Sequence, residues 1–110
     1  MTPETMVVLT TCGNDEDATL LARWLVEQRL AACVNAIGTV ASTYRWQGRV
    51  EQAQETLLII KTTASRLGAV EKAIRDHSKY ELPEFIALPV QAGGAAYLDW
   101  VRESVAEFKD

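Results

Sequence analysis

The feature that most constrains the fold is the long segment from Cys33 to Thr62, which reads as two strands joined by a tight turn at Gln47-Gly48. The first arm is rich in strand-favouring residues and the return arm runs from about Arg49 to Thr62. Arms of about 14 residues at ~3.4 Å per residue would span roughly 45 Å. A compact domain of this length has a radius of gyration of only ~13 Å. The hairpin is therefore expected to extend beyond its own domain and to need another surface to lie on.

The rest of the chain places strands and helices on both sides of this hairpin. The predicted elements are a strand from Met6 to Cys12, a helix from about Asp15 to Leu30, a helix from about Ala64 to Ser78, a strand from Glu84 to Val90 and a helix from about Ala95 to Phe108. The helices carry apolar stripes at helical spacing, formed in turn by Ala18, Leu21 and Leu25, by Leu67, Val70 and Ile74, and by Tyr97, Trp100, Val101, Val105 and Phe108. The order β-α-β-β-α-β-α predicts an α+β fold. We expect a ferredoxin-like, split β-α-β sandwich with a long hairpin between its second and third strands and an extra C-terminal helix.

Two of the strands are apolar on both faces, namely Leu57-Leu58-Ile59-Ile60 and Phe85-Ile86-Ala87-Leu88. Right-handed crossovers would place the first two helices on the same face of the sheet. The other face must then be covered by the third helix, by a partner subunit, or by both. This pattern predicts a homo-oligomer, with cover by the third helix alone as the alternative.

Composition limits the classes of function. The chain has 110 residues, which is one domain, and 48% of them are apolar. Its net charge is −4 and its basic residues are scattered, so no nucleic-acid or membrane-surface partner is expected. The first residues lack the charged and apolar runs of a leader, which predicts a cytoplasmic protein. Two cysteines do not make a disulfide framework, and we expect free thiols.

Four short motifs, in order and at consistent spacing, resemble the CutA family. They are Tyr44-Arg45-Trp46-Gln47-Gly48, the strand from Glu55 to Lys61-Thr62, Tyr80-Glu81-Leu82-Pro83-Glu84, and Tyr97-Leu98-Asp99-Trp100, preceded by Leu30-Ala31-Ala32-Cys33-Val34-Asn35. The resemblance implies a ferredoxin-like homotrimer, similar in build to PII-type signal proteins and linked to tolerance of divalent metals, especially copper. It does not imply an enzyme.

Two positions depart from the family pattern. The turn after the first strand is usually Thr-x-Pro, whereas here it is Thr11-Cys12-Gly13. The family places a histidine two residues before the tyrosine that leads into the last strand. Here Ser78 holds that place, and the single histidine, His77, lies one residue earlier. A family role for that histidine therefore does not transfer directly to this chain.

Cys12 and His77 are the candidate metal ligands, because thiolate and imidazole are the donors that copper prefers. No pair shows the spacing of a known metal motif. Cys12 ends the first strand and Cys33 begins the second, so the two thiols are expected at opposite ends of one sheet. The alternatives are that Cys33 is a small core residue, Cys12 a partly exposed thiol and His77 a packing residue on its helix.

A cleft between subunits is the second candidate site, formed by Trp46, Glu55, Lys61, Tyr80 and Glu84. It would suit a PII-like trimer that senses a small molecule without a direct metal role. The alternative is that these residues only fit subunits together. No Gly-rich phosphate loop or base beside a nucleophile is evident, so we do not expect an enzyme.

Overall fold

The computed structural model describes residues 4–106 of the chain. The predicted order is confirmed. The elements are β1 (Thr5–Cys12), α1 (Asp15–Glu27), β2 (Cys33–Trp46), β3 (Arg49–Thr63), a 3-10 turn (Ala64–Arg66), α2 (Leu67–His77), β4 (Ile86–Pro89) and α3 (Ala95–Ser104). Within the described range, no helix is long and apolar enough to cross a membrane.

The four strands form one sheet in the order β2-β3-β1-β4, with every neighbouring pair antiparallel. This is the ferredoxin-like arrangement, in which two split β-α-β units interleave. The hairpin turns at Gln47 and Gly48, whose φ angles are 50° and 80°. Two left-handed residues suit a two-residue hairpin turn, because their twist matches that of the flanking strands.

The hairpin makes the molecule elongated. Its arms have 14 and 15 residues, and the longest dimension of the subunit is 48 Å against 30 and 22 Å for the others. The radius of gyration, 14.7 Å, exceeds the ~13 Å expected of a compact domain of this length. The prediction that the hairpin extends beyond its own domain is confirmed.

The main core lies between the sheet and the first two helices, on what we call the inner face. The residues of α1 and α2 predicted to face the sheet are buried, except Leu67, which is half-buried against the same cluster. From β3, Leu58 and Ile60 are fully buried, and Val8 of β1 joins them. Buried threonines on the same face donate hydrogen bonds to the connecting segments, as Thr62 does to the carbonyl of Leu30 at 2.7 Å.

The opposite side of the sheet, the outer face, is covered only at one end. It presents the half-buried residues Val7, Leu9, Leu57 and Ile59 and the exposed residues Ile37, Ile86 and Leu88. The last three are 44–48% exposed. Helix α3 reaches the end of this face that carries Lys61, where the ammonium lies 5.8 Å from the centre of the Tyr97 ring. The third helix therefore does not cover the face by itself.

Three elements were predicted to be longer than they are. Helix α1 ends at Glu27 because Arg29 adopts a φ of 58°, which turns the chain. Helix α2 begins only after a 3-10 turn and ends at His77. Strand β4 begins at Ile86, because the carbonyl of Glu84 accepts a hydrogen bond from the Thr10 hydroxyl instead of a strand partner.

The predicted stripe of α3 was wrong in part. Val101 and Val105 are buried and pack with Ala32. Tyr97 and Trp100 are instead 46% and 44% exposed, with their rings 5.4 Å apart. Phe108 and the predicted end of this helix lie outside the described residues.

Candidate functional site

A β-bulge in β2 decides which side chains reach the outer face near the hairpin end. The pairing of β2 with β3 shifts by one residue between Ile37 and Val40. An extra residue reverses the alternation of a strand, so that residues of the other parity face the same side. As a result, Tyr44 and Trp46 lie on the outer face together with Ile37.

Helix α1 holds this bulge in place. The Asp15 carboxylate accepts a hydrogen bond of 2.5 Å from the Thr56 hydroxyl of β3. A Cβ atom at Gly38, within the bulge, would lie 2.8 Å from the same carboxylate oxygen. Only glycine leaves room for so close an approach, and the contact ties the start of α1 to both arms of the hairpin.

A cleft with a volume of about 680 Å³ lies beside the hairpin. We call it the hairpin cleft. Its lining includes Thr11, Ser42, Tyr44, Trp46, Glu55, Tyr80 and Glu84. Four of the five residues predicted for a ligand cleft thus meet in one place, although they come from β2, β3 and the segment between α2 and β4. Lys61 is the exception.

Glu55 carries the fixed negative charge of the hairpin cleft. Burial raises the pKa of Glu55, but hydrogen bonds from Ser42, Tyr80 and Thr11 outweigh that effect and hold the pKa below its ordinary value. The Tyr80 hydroxyl donates to Glu55 Oε2 at 2.7 Å. Three converging donors therefore keep this carboxylate ionised at neutral pH.

The pKa of Glu84 is shifted in the opposite direction, above its ordinary value. Burial raises the pKa of Glu84, and the nearby charge of Glu55 raises it further. The backbone around it is fixed by the Thr10 hydroxyl, 2.6 Å from the Glu84 carbonyl. Glu55 and Glu84 thus lie in different electrostatic environments within the cleft, and a positive ligand would relieve the repulsion between them.

A second, smaller cavity of about 30 Å³ lies behind Tyr80, and we call it the Cys12 cavity. Cys12, Asp17, His77, Lys79 and Tyr80 are among its lining residues. Both predicted metal ligands therefore border one space, which has room for about two water molecules. Within residues 4–106, however, no group of three or more His, Cys, Asp or Glu side chains is placed to hold a metal ion.

Neither candidate ligand is preorganised for a metal. Burial raises the pKa of the Cys12 thiol, and the charges of Asp17 and Glu55 raise it further, so the thiolate that binds metal is disfavoured. The His77 Nδ1 atom lies 2.9 Å from the carbonyl of Ala73. Because a carbonyl only accepts, that nitrogen carries the proton, which leaves Nε2 as the nitrogen open to a ligand. The His77 ring also contacts Trp24, at 5.5 Å between ring centres.

Lys61 and Cys33 lie together at the other end of the sheet. They are directly paired across β3 and β2, and both are half-buried on the outer face. The alternative that Cys33 is a core residue is therefore wrong, whereas the half-buried state of Cys12 agrees with the alternative that it is a partly exposed thiol. Cys12 faces the inner core instead. Among the described residues, no ion pair of Lys61 is found, and its charge rests against Tyr97.

Thr11 and Ser42 are the site residues that sequence reasoning missed. Both flank Glu55 on neighbouring strands and donate to its carboxylate. The alternation of Ser42, Tyr44 and Trp46 is visible in the sequence. The register that sets Ser42 beside Glu55 depends on the bulge, which has no clear sequence signal apart from Gly38.

Comparison with known proteins gives one consistent result. The family described as CutA1 divalent ion tolerance protein matches residues 6–104. The divalent-cation tolerance protein CutA of Thermus thermophilus is 45% identical over 98 residues, which cover 89% of this chain and 95% of that protein. The crystal structure of CutA1 from Oryza sativa superposes with a TM-score of 0.93 at 39% identity, covering 97% of this chain and 98% of that one.

Some relatives differ in length or named location. The human protein CutA is 44% identical over 100 residues, but the chain spans only 56% of its length. The CutA of Archaeoglobus fulgidus, 31% identical with a TM-score of 0.90 and covering 93% of this chain and 99% of that one, is named as periplasmic. A cytoplasmic location for the present chain therefore stays a prediction. The family match covers residues 6–104, and the Thermus protein is 45% identical over nearly its whole length. The chain therefore belongs to the CutA1 divalent ion tolerance protein family.

Proposed function

We propose that the chain acts as a homotrimer in tolerance of divalent cations, and that it binds a metal ion or small ligand at or near the subunit interfaces. The observation that carries the proposal is the outer face. Its row of apolar residues is continuous across three strands and covered at one end only. An apolar surface of this kind in a small protein marks an interface.

The hairpin supports the same assembly. It extends from the domain and carries exposed Tyr44 and half-buried Trp46 on the outer face. Aromatic side chains are typical anchors of protein interfaces. Three copies around one axis would let each hairpin lie against a neighbouring sheet, which agrees with the trimeric build that the family resemblance implies.

Light scattering after gel filtration tests the assembly. We expect a mass three times that of the 12.2 kDa subunit. Leu88→Asp places a charge on the outer face and should yield folded monomers. Leu20→Asp is the matched control, because Leu20 is a 60% exposed apolar residue on the helical side, and it should leave the trimer intact. A monomer at micromolar concentration in the unmodified protein would overturn the proposal.

Copper is the metal we propose, with Cys12 and His77 as its ligands in the Cys12 cavity. What supports this is that both side chains line one space, while Cys33 lies at the far end of the sheet. The raised pKa of Cys12 means that metal binding must release a proton, so affinity should rise with pH.

Titration calorimetry with Cu(I) tests this site. Cys12→Ser should weaken copper binding more than Cys33→Ser does, and His77→Gln should also weaken it. If only Cys33→Ser abolishes binding, the metal belongs to the outer face and the assignment to Cys12 is wrong.

A PII-like sensor of a small molecule is the second candidate, and the hairpin cleft favours it. A volume of about 680 Å³ is typical of sites for organic ligands and far larger than a bare ion needs. Ligand-dependent fluorescence of Trp46, measured with Trp24 and Trp100 replaced by Phe, would report on this cleft alone. A metal-dependent change without any organic ligand would favour the first candidate.

A further inference from the structure

The hairpin cleft is negatively charged inside. It is lined by the acids Glu55, Glu81 and Glu84 and by the bases Arg45 and Lys79. The Lys79 ammonium, however, lies 3.0 Å from Asp17 Oδ1, so its charge is already compensated from outside the cleft. An anionic ligand would therefore meet three carboxylate side chains and, among the bases of the lining, only Arg45 with its charge uncompensated by an ion pair of the described residues.

A bare metal ion fits the hairpin cleft no better. Divalent ions need several oxygen, nitrogen or sulfur donors within ~2.0–2.6 Å. In the part of the chain that the structure describes, no three such side chains converge. Glu55 also spends part of its accepting capacity on the Tyr80 hydroxyl at 2.7 Å.

Aromatic side chains supply the remaining walls. Tyr44 and Trp46 are two residues apart on β2, on the same side, and therefore stand ~7 Å from each other along the strand. Tyr80 closes another side. Aromatic faces beside carboxylates attract organic cations, because the ring quadrupole adds to the charge attraction while the apolar parts of the ligand are buried.

From this combination we infer that the hairpin cleft selects a small organic cation, such as a quaternary ammonium or protonated amine, with Glu55 and Glu84 as its counter-charges and Trp46 and Tyr44 as its aromatic wall. The inference rests on the second function proposed above, because it names the ligand class of that cleft.

Three ligands of nearly equal shape test the charge preference: choline, its neutral counterpart 3,3-dimethylbutan-1-ol and the anion 3,3-dimethylbutanoate. Titration calorimetry should show choline binding at least about tenfold more tightly than the neutral alcohol, which corresponds to ~1.4 kcal/mol. The anion should bind more weakly than both. 1,4-Diaminobutane serves as a second cationic probe.

Variants assign the effect to the cleft. Glu55→Gln and Trp46→Leu should each reduce choline affinity about tenfold, which is ~1.4 kcal/mol. Glu51→Gln, on the same strand but outside the cleft lining, should not change it. Equal binding of choline and its neutral counterpart, preference for the anion, or no binding of either cation up to about 10 mM would overturn the inference.

Light scattering on the same samples separates this inference from the proposed function. If the protein assembles as a trimer and binds copper but shows no preference for cations in the cleft, only the ligand class is wrong. If the unmodified protein is a monomer, the assembly proposal fails, and choline selectivity would still test the cleft within one subunit.

Discussion

The two faces of the sheet are built from the same strands but are buried to different extents within the subunit. On β3, Leu58 and Ile60 point to the inner face and are fully buried under α1 and α2. Their immediate neighbours Leu57 and Ile59 point to the outer face and are only half-buried. The two rows are equally apolar, so the difference comes from topology and not from composition.

The apolar residues of this sheet are divided between the core of the subunit and a face that the subunit itself leaves largely uncovered. Both crossover helices fall on the inner face because right-handed connections leave no other choice. That face supplies the main core of the subunit, and α3 adds a smaller buried cluster with Ala32. The outer face then remains largely uncovered within the subunit, which supports the assembly proposed above, and its hairpin end carries the cleft residues. Mutations on the two faces should therefore separate stability from assembly.

The largest effect is expected from Leu58→Ala. Removing a fully buried leucine side chain leaves a cavity and should lower the free energy of unfolding by about 3 kcal/mol. Leu57→Ala, one residue earlier on the outer face, should cost only about 1 kcal/mol in an isolated subunit, because its side chain is only half-buried there. Urea unfolding in the monomeric Leu88→Asp background measures both without a contribution from assembly.

The same two variants test whether the outer face is packed less tightly than the inner face. In the unmodified assembly, the cost of Leu57→Ala should rise because its side chain would be covered, whereas that of Leu58→Ala should stay constant. Equal costs for the two variants in the monomeric background would show that the outer face is as well packed as the inner one.

The fold could be predicted from the sequence because its signals are local. Apolar stripes gave the faces of α1 and α2, and the Gln47-Gly48 turn fixed the centre of the hairpin. The ends of elements were less predictable, since they depend on tertiary contacts such as the Thr10 hydroxyl that binds the Glu84 carbonyl. The exposed Tyr97 and Trp100 were misread because an apolar stripe does not say whether its own subunit or another covers it.

Only part of the candidate site could be predicted from the sequence. Residue types indicated a cleft with Trp46, Glu55, Tyr80 and Glu84, and the structure brings these together. Lys61 lies six residues along β3 from Glu55, or ~20 Å, so it is separate from the other four within one subunit, and its place in a cleft between subunits stays a prediction. The donors Thr11 and Ser42 depended on a bulge whose effect on register cannot be read from single residues.

A medium effect is expected from Lys61→Met, which tests whether the outer face needs a charge where apolar residues dominate. Lys61 ends the row of Leu57 and Ile59, and its partner is expected across a subunit boundary, either a carboxylate or a bound anion. The variant should raise the dissociation constant of the trimer about tenfold or abolish ligand binding. The unfolding free energy of the monomeric background should change by less than ~0.5 kcal/mol.

Lys72→Met provides the control for this charge. Lys72 pairs with Asp76 on the exposed side of α2, on the helical layer, and its loss should leave assembly unchanged. If Lys61→Met alters neither trimer mass on dilution nor any ligand affinity, the charge has no role at the boundary. A structure of the assembly with Lys61 fully solvated would lead to the same conclusion.

The smallest effect is expected from Tyr80→Phe, which removes the hydroxyl that donates to Glu55 at the hairpin end of the outer face. Burial raises the pKa of Glu55, and donors including the Tyr80 hydroxyl bring it below its ordinary value of 4.5. Removing the hydroxyl should raise this pKa.

A depressed pKa of Glu55 contributes stability that is present above the unfolded pKa and is lost as the pH falls through the folded pKa. Tyr80→Phe should therefore cost ~0.5–1 kcal/mol at neutral pH, a discounted value because Tyr80 is 39% exposed, and almost nothing once the pH lies well below the folded pKa of Glu55. Tyr44→Phe, which keeps the cleft aromatic and leaves the Tyr80 hydroxyl in place, is the control and should show no such pH dependence. Urea unfolding at both pH values, with the Glu55 titration followed by NMR, decides the matter: a Tyr80→Phe cost that is the same at both, or an unmoved Glu55 pKa, would show that the hydrogen bond does not stabilise the ionised carboxylate.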